Sequence, residues 1–139
     1  MRIMAIDYGD AHTGIAISDP TGFLAGFTTT IDAYRPEVVV QRITELARQH
    51  GAEELVLGHP KNMDGTLGPR AEKAEAMAEL LKEATGLPVI LWDERRTTID
   101  AHQILMAGGK NAKKRKKVVD AVAASLILEG YLTYKRAHP

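Results

Sequence analysis

Hydrophobic and polar positions divide the chain into a strand-like opening and a long alternation of helix and strand. Residues 2–8 form an apolar run that reads as a buried strand ending at Asp7-Tyr8-Gly9-Asp10. Thr13 to Asp19 alternates as a second strand. Asp19-Pro20-Thr21-Gly22 is turn chemistry that leads into a third strand from Phe23 to about Ile31. Three strands joined by such short connections predict an antiparallel meander.

The period then lengthens. Pro36 suits the first turn of a helix, and Val39, Val40, Ile43, Leu46 and Ala47 keep helical spacing until Gly51. Glu54 to Gly58 is a short apolar strand, followed by a Gly/Pro/Asn-rich loop from His59 to Pro69. Ala74, Met77, Leu81 and Ala84 stay in register through a helix over 70–85 that Gly86 closes. Pro88 to Trp92 is a further strand with Asp93-Glu94-Arg95-Arg96 at its end. A shorter helix is expected from Thr98 to Ala107, stopped by Gly108-Gly109, and a last one from about Lys117 to Tyr134. The order β-β-β-α-β-α-β-α-α predicts an α/β protein with a mixed five-stranded sheet flanked by helices. With no repeat and no dividing linker, residues 1–139 read as one domain.

A chain of 139 residues can bury about two thirds of its unfolded surface, so it needs no cross-link to fold. Cysteine is absent, which excludes disulfides and Cys-based zinc sites. The N-terminus lacks the h-region and cleavage site of a signal peptide, and no apolar run approaches the roughly 20 residues of a membrane span. A soluble, cytoplasmic protein without a membrane partner is expected. Formal charge is zero, but six of 18 basic residues fall within eight positions: Lys110, Lys113, Lys114, Arg115, Lys116 and Lys117. A basic segment on an otherwise acidic body is a candidate phosphate-binding patch, or else a solvated loop.

The acids carry the chemistry. Asp7 and Glu94 follow apolar runs at two strand ends, where turn residues and exposed ion pairs with Arg95 or Arg96 are the ordinary readings. Asp120 shares one side of the last helix with Ala123, Ala124, Ile127 and Tyr131. Val118, Val122, Leu126 and Leu128 occupy its other sides, so the helix is expected to be apolar nearly all round and largely buried. A carboxylate there is costly unless paired or bound to metal. Two strand ends and a helix packed on the sheet can bring three carboxylates to one edge. Mg²⁺ takes such oxygen ligands and keeps positions open for a substrate phosphate, and two ions together hydrolyse phosphodiesters. Asp10, Asp19 and Asp93 are nearby extras, and Thr97 to Asp100 carries a helix-start pattern. The loop from Gly58 to Thr66, which includes Asn62, can offer backbone amides to a phosphate but lacks a P-loop ending.

Four blocks in order resemble the YqgF/RuvX family of bacterial Holliday junction resolvases and pre-16S rRNA nucleases. They are Asp7-Tyr8-Gly9 with Gly14 to Asp19, Gly58 to Gly65 with Gly68-Pro69-Arg70-Ala71, Asp93 to Thr98, and Lys117 to Ala124. The resemblance implies a ribonuclease H-like fold and a catalytic, metal-binding set of Asp7, Glu94 and Asp120 with Mg²⁺ or Mn²⁺, two ions in all. It implies a metal-dependent hydrolase, an endo- or exonuclease that processes the 5′ end of pre-16S rRNA. Its partners are then pre-rRNA or branched DNA and the small-subunit precursor, with Lys113, Lys114, Arg115, Lys116, Lys117, Arg95 and Asn62 as nucleic-acid-binding residues. Holliday junction resolution is the alternative. A junction calls for a homodimer, whereas a monomer suffices for single-stranded RNA. His12 stands where the family usually carries Arg, so it is expected to hold nucleic acid weakly and in a pH-dependent way. Two other classes fit the sequence less well. An actin-like ATPase shares the fold but needs two such domains, and a non-catalytic assembly module gains nothing from acids near a phosphate backbone.

Overall fold

A computed structural model of the chain describes residues 1–21, 25–60, 68–93 and 112–138, without the side chains of residues 112–120. The described elements are β1 (Ile3–Asp7), β2 (His12–Ser18), β3 (Ala25–Asp32), α1 (Pro36–His50), β4 (Glu54–His59), α2 (Pro69–Thr85), β5 (Val89–Asp93) and α3 (Ala112–Ala137). The expected helix over 98–107 lies outside the described residues.

The sheet runs β3-β2-β1-β4-β5. β1 pairs antiparallel with β2, and β2 with β3, so the opening segment is the expected meander. β1–β4 and β4–β5 are parallel, the second joined by a helical crossover through α2. The result is the mixed five-stranded sheet that the pattern predicts.

Both faces are covered, because apolar residues fill successive positions of the inner strands. On one face Met4, Ile6, Ile15, Ile17, Leu55 and Leu57 pack against Val39 and Ile43 of α1 and Met77 and Leu81 of α2. On the other Ile3, Ala5, Ala16 and Val56 pack against Ala124, Ile127, Leu128 and Tyr131 of α3. Burying each large aliphatic side chain contributes about 1.5–3 kcal/mol.

Pro36 and Pro69 open α1 and α2 from positions where a missing N–H costs nothing. Gly51 (φ 68°) and Gly86 (φ 70°) close them in the left-handed conformation that favours glycine.

α3 begins at Ala112 rather than at the expected Lys117, so Lys113 to Lys117 lie in its opening turns and not in a loop. Lys and Arg are good helix formers, and the packed second half supports the first. The helix is also less buried than expected. One stripe through Ala124, Ile127, Leu128 and Tyr131 is covered, while Glu129, Thr133 and Tyr134 face solvent. Gly130 lets the Trp92 ring lie against the helix, 3.4 Å from where a Cβ would stand. At the far end of the sheet the buried Glu54 carboxylate accepts from the Tyr131 hydroxyl (2.5 Å) and from Lys135 Nζ (2.9 Å), which ties α3 to β4.

Candidate active site

β1, β4 and β5 run in parallel, so Asp7, His59 and Asp93 close their strands at one edge of the sheet. β2 begins and β3 ends at that edge, with His12 opposite Asp32. β1 is the central strand, and the chain leaves it first to β2 on one side and later to β4 on the other. Open α/β sheets bind ligands at such a switch point, outside the carboxyl ends of the strands.

Side chains alternate between faces along a strand. Asp7 therefore shares a face with Ile3 and Ala5, the side that α3 covers. In the β1–β2 ladder Asp7 stands opposite Gly14. On the other flank Ile6 pairs with Leu57, so Gly58 is the next residue of β4. The part-buried Asp7 carboxylate thus lies between two strands that carry glycine at its level. Among the described residues nothing hydrogen-bonds to it or pairs with it. Isolated glycines in strand patterns are a sign of close approach, but the sequence reading put Gly58 at the start of a phosphate loop and did not connect either glycine with Asp7.

The opposite face holds different chemistry. His59 is buried beside α2, its Nε2 3.0 Å from Glu75 Oε1. Asp93 pairs with His59 in register and follows Trp92, which packs on the α3 side, so alternation puts Asp93 on the His59 face, away from Asp7. Asp10 accepts a hydrogen bond from Lys73 (3.1 Å). Asp19 is a correction to the expected cluster. β2 runs antiparallel to β1, so Asp19 lies past the opposite edge of the sheet, bonded by the Thr21 hydroxyl at 2.8 Å.

The turn from β1 to β2 is tight. A Cβ on Gly9 would meet the His12 carbonyl oxygen at 2.4 Å, so only glycine fits there without a backbone shift. His12 Nδ1 lies 2.7 Å from Asp32 Oδ1 across the β2–β3 ladder. Burial and the neighbouring Asp10 push the Tyr8 phenol up, with Lys73 opposing them.

Glu94, Arg95 and Asn62 lie outside the described residues. Glu94 is the residue after Asp93, where β5 reaches the Asp7 edge. Asp120 falls inside α3, four positions before the buried Ala124, and Lys113, Lys114, Arg115, Lys116 and Lys117 precede it in the same helix. Among the described residues no three His, Asp or Glu side chains gather to hold a metal ion. No described helix is long and apolar enough to cross a membrane.

A mixed sheet in this order, with helices on both faces and an acid closing the central strand, is the ribonuclease H-like fold. RuvC of Thermus thermophilus, solved in complex with a Holliday junction substrate, shares the fold with a TM-score of 0.66 at 15% identity, over 99% of this chain and 97% of that one. The chain belongs to the RuvX family, described as Holliday junction resolvase, whose profile matches residues 1–134, and by that membership it is a nuclease and a hydrolase. Two relatives bear the provisional name pre-16S rRNA nuclease. The one from Halothermothrix orenii is 46% identical over 135 residues, 97% of this chain and 96% of the relative. The one from Pelotomaculum thermopropionicum is 47% identical over 133 residues, 95% of this chain and 86% of the relative.

Proposed function

We propose that this chain is a divalent-metal-dependent nuclease that matures the 5′ end of pre-16S rRNA in the cytoplasm, acting as one domain over residues 1–139. The observation that carries the reading is Asp7, a carboxylate without a partner among the described residues, at the switch point of the sheet with Gly14 opposite it. A part-buried acid without a protein partner is costly unless something else meets its charge. Carboxylates are the hard oxygen donors that Mg²⁺ and Mn²⁺ prefer, so the donor set fits such ions.

Asp7, Glu94 and Asp120 are the residues that would hold the metal. Two bound ions supply an activated water and stabilise the leaving oxygen of a phosphodiester. Asp7 presents its oxygens from a strand end whose backbone is fixed on both sides by ladder bonds. Gly14 keeps the space beside it free of side chain, as a phosphate approaching the carboxylate requires. α3 packs apolar residues against the interior of this face, over Ile3, Ala5, Ala16 and Val56. Lys113, Lys114, Arg115, Lys116 and Lys117, with Arg95 and Asn62, attract the nucleic-acid backbone.

The names of the relatives favour RNA as substrate. The family description favours a second reading, resolution of branched DNA by a homodimer. Cleavage of a pre-16S 5′ leader and of a four-way DNA junction, with and without Mn²⁺ or Mg²⁺, tests both. The proposal expects metal-dependent cleavage of the leader that Asp120→Asn abolishes. Cleavage of the junction alone would establish the second reading. Failure to cut either, or equal cutting by Asp120→Asn, would leave a non-catalytic assembly module.

A further inference from the structure

A cleft opens between the β1–β2 turn and the start of α2, lined among the described residues by Tyr8 to His12, Arg70 and Lys73. It lies beside the site but off the Asp7 face, because Tyr8 and α2 both pack against the core beneath α1 and α2. Arg70 reaches it from the first turn of α2 and is exposed, with no ion-pair or hydrogen-bond partner among the described residues. Lys73 follows one turn later and, among the described residues, pairs with Asp10 at 3.1 Å.

Two observations make this arrangement incomplete without an anion. Arg70 and Lys73 stand at the positive end of a helix dipole, where cations are disfavoured and anions welcome. The Lys73–Asp10 pair leaves 59% and 82% of the two side chains exposed, and such a pair contributes little and yields easily. Asp10, already paired with Lys73, is the one acid among the described lining residues of the cleft.

We propose that this cleft holds one backbone phosphate of the nucleic-acid substrate, gripped by the Arg70 guanidinium and the Lys73 ammonium. Arg70 supplies a planar fork suited to two phosphate oxygens, and Lys73 a point charge released from Asp10. The phosphate is a neighbour of the one that is cut, because Asp7 and the cleft flank the same turn. The inference rests on the nuclease reading and adds to it a second, non-catalytic anchor on the far face of the sheet edge. The basic opening of α3 belongs to the other face, so the substrate is held on both sides of the edge.

The test is equilibrium binding of fluorescent single-stranded leader RNA and of a four-way DNA junction across a salt series, in EDTA so that neither is cut. Wild type is compared with Arg70→Gln, Lys73→Gln and the double variant. Both side chains are exposed, so the variants should fold, and a thermal melt checks this. The expected result is about 5-fold weaker binding for each single variant, with Arg70→Lys recovering part of the loss. The log–log salt slope of the double variant should flatten by about 0.7 on RNA or about 0.9 on duplex DNA, one phosphate's worth. The substrate that shows the change is the one whose phosphate the cleft takes. Wild type that binds while the double variant keeps its affinity and slope overturns this inference and leaves the nuclease reading standing. Wild type that binds neither nucleic acid overturns both.

Discussion

Asp7 and Gly14 face each other across the β1–β2 ladder, so the acid at the end of the central strand has no side chain opposite it. Directly opposed residues hold their Cβ atoms about 4.5–5.5 Å apart. Any larger residue at Gly14 would therefore occupy the space that a phosphate needs. Gly14 is itself buried, so Gly14→Val should lower both the melting temperature and the cleavage rate. Gly14→Ala should spare most of the stability and still reduce cleavage about 10-fold or more. Cleavage by Gly14→Ala at the wild-type rate would show that this space is not used.

Asp7 also links stability to metal. Among the described residues its carboxylate has no partner, so in metal-free protein Asp7→Asn should leave the melting temperature unchanged or raise it. Millimolar Mn²⁺ should raise the wild-type melting temperature by mass action, and should not do so in the variant. Cleavage should fall at least about 100-fold. A variant that melts lower than wild type in EDTA would mean that Asp7 holds the fold rather than a metal.

Gly9 sets the angle at which the chain turns from Asp7 into β2. With a Cβ 2.4 Å from the His12 carbonyl oxygen, Gly9→Ala must move backbone and not merely a flexible side chain. Such overpacking costs about 1–3 kcal/mol. Urea denaturation should show that loss with an unchanged slope, and cleavage by the folded variant should drop because Asp7, two residues away, moves with the turn. A fully stable Gly9→Ala would mean that the turn has an alternative conformation.

Much of this architecture was legible before any coordinates. Pro36, Gly51 and Gly86 act through local backbone chemistry, and local chemistry is what a sequence displays directly. The acids at strand ends were legible too, since an apolar run followed by Asp marks where a strand reaches solvent. The face on which each acid falls was not. Asp7 and Asp93 look alike in sequence, yet alternation counted from Ala5 and from Trp92 places them on opposite sides of the sheet. Asp19 looked like a neighbour of Asp7 because it is close in the chain, and an antiparallel return carries it to the other edge. The start of the last helix was set about five residues late, because the basic stretch shows no apolar period of its own and the packed turns that support it come only from Ala123 onward. Arg70 stood only within the Gly68 to Ala71 block and Lys73 in none, because their meaning depends on a turn some sixty residues earlier.

The tie between α3 and β4 predicts an alkaline limit to stability. Burial and the Glu54 carboxylate push the Tyr131 phenol well above the ordinary tyrosine value near 10. Between those values the folded protein keeps a proton that the unfolded chain has lost. Stability is therefore fully present below about pH 10 and falls as pH rises beyond it, by up to about 1.4 kcal/mol per unit for this group. Tyr131→Phe should be less stable at neutral pH, because Glu54 loses a hydrogen bond, and should show a shallower loss above pH 10. Parallel alkaline unfolding curves for wild type and Tyr131→Phe would contradict the assignment.

His12 borders the cleft beside Asp7, and its surroundings say what an exchange for Arg should do. One ring nitrogen, Nδ1, is committed to Asp32 at 2.7 Å, which leaves a single nitrogen for the cleft between Tyr8 and Arg70. An arginine has five N–H donors, enough to satisfy Asp32 and a phosphate together. His12→Arg should therefore tighten substrate binding by about 3- to 10-fold and make its salt dependence steeper by up to about one unit. The gain should appear in KM, with kcat nearly unchanged, because the added contact is to a backbone phosphate and not to the reacting group. Steady-state kinetics on whichever nucleic acid the protein cuts would decide it. A gain confined to kcat would place His12 at the chemical step, and no gain at all would show that Asp32 takes up the whole of the new charge.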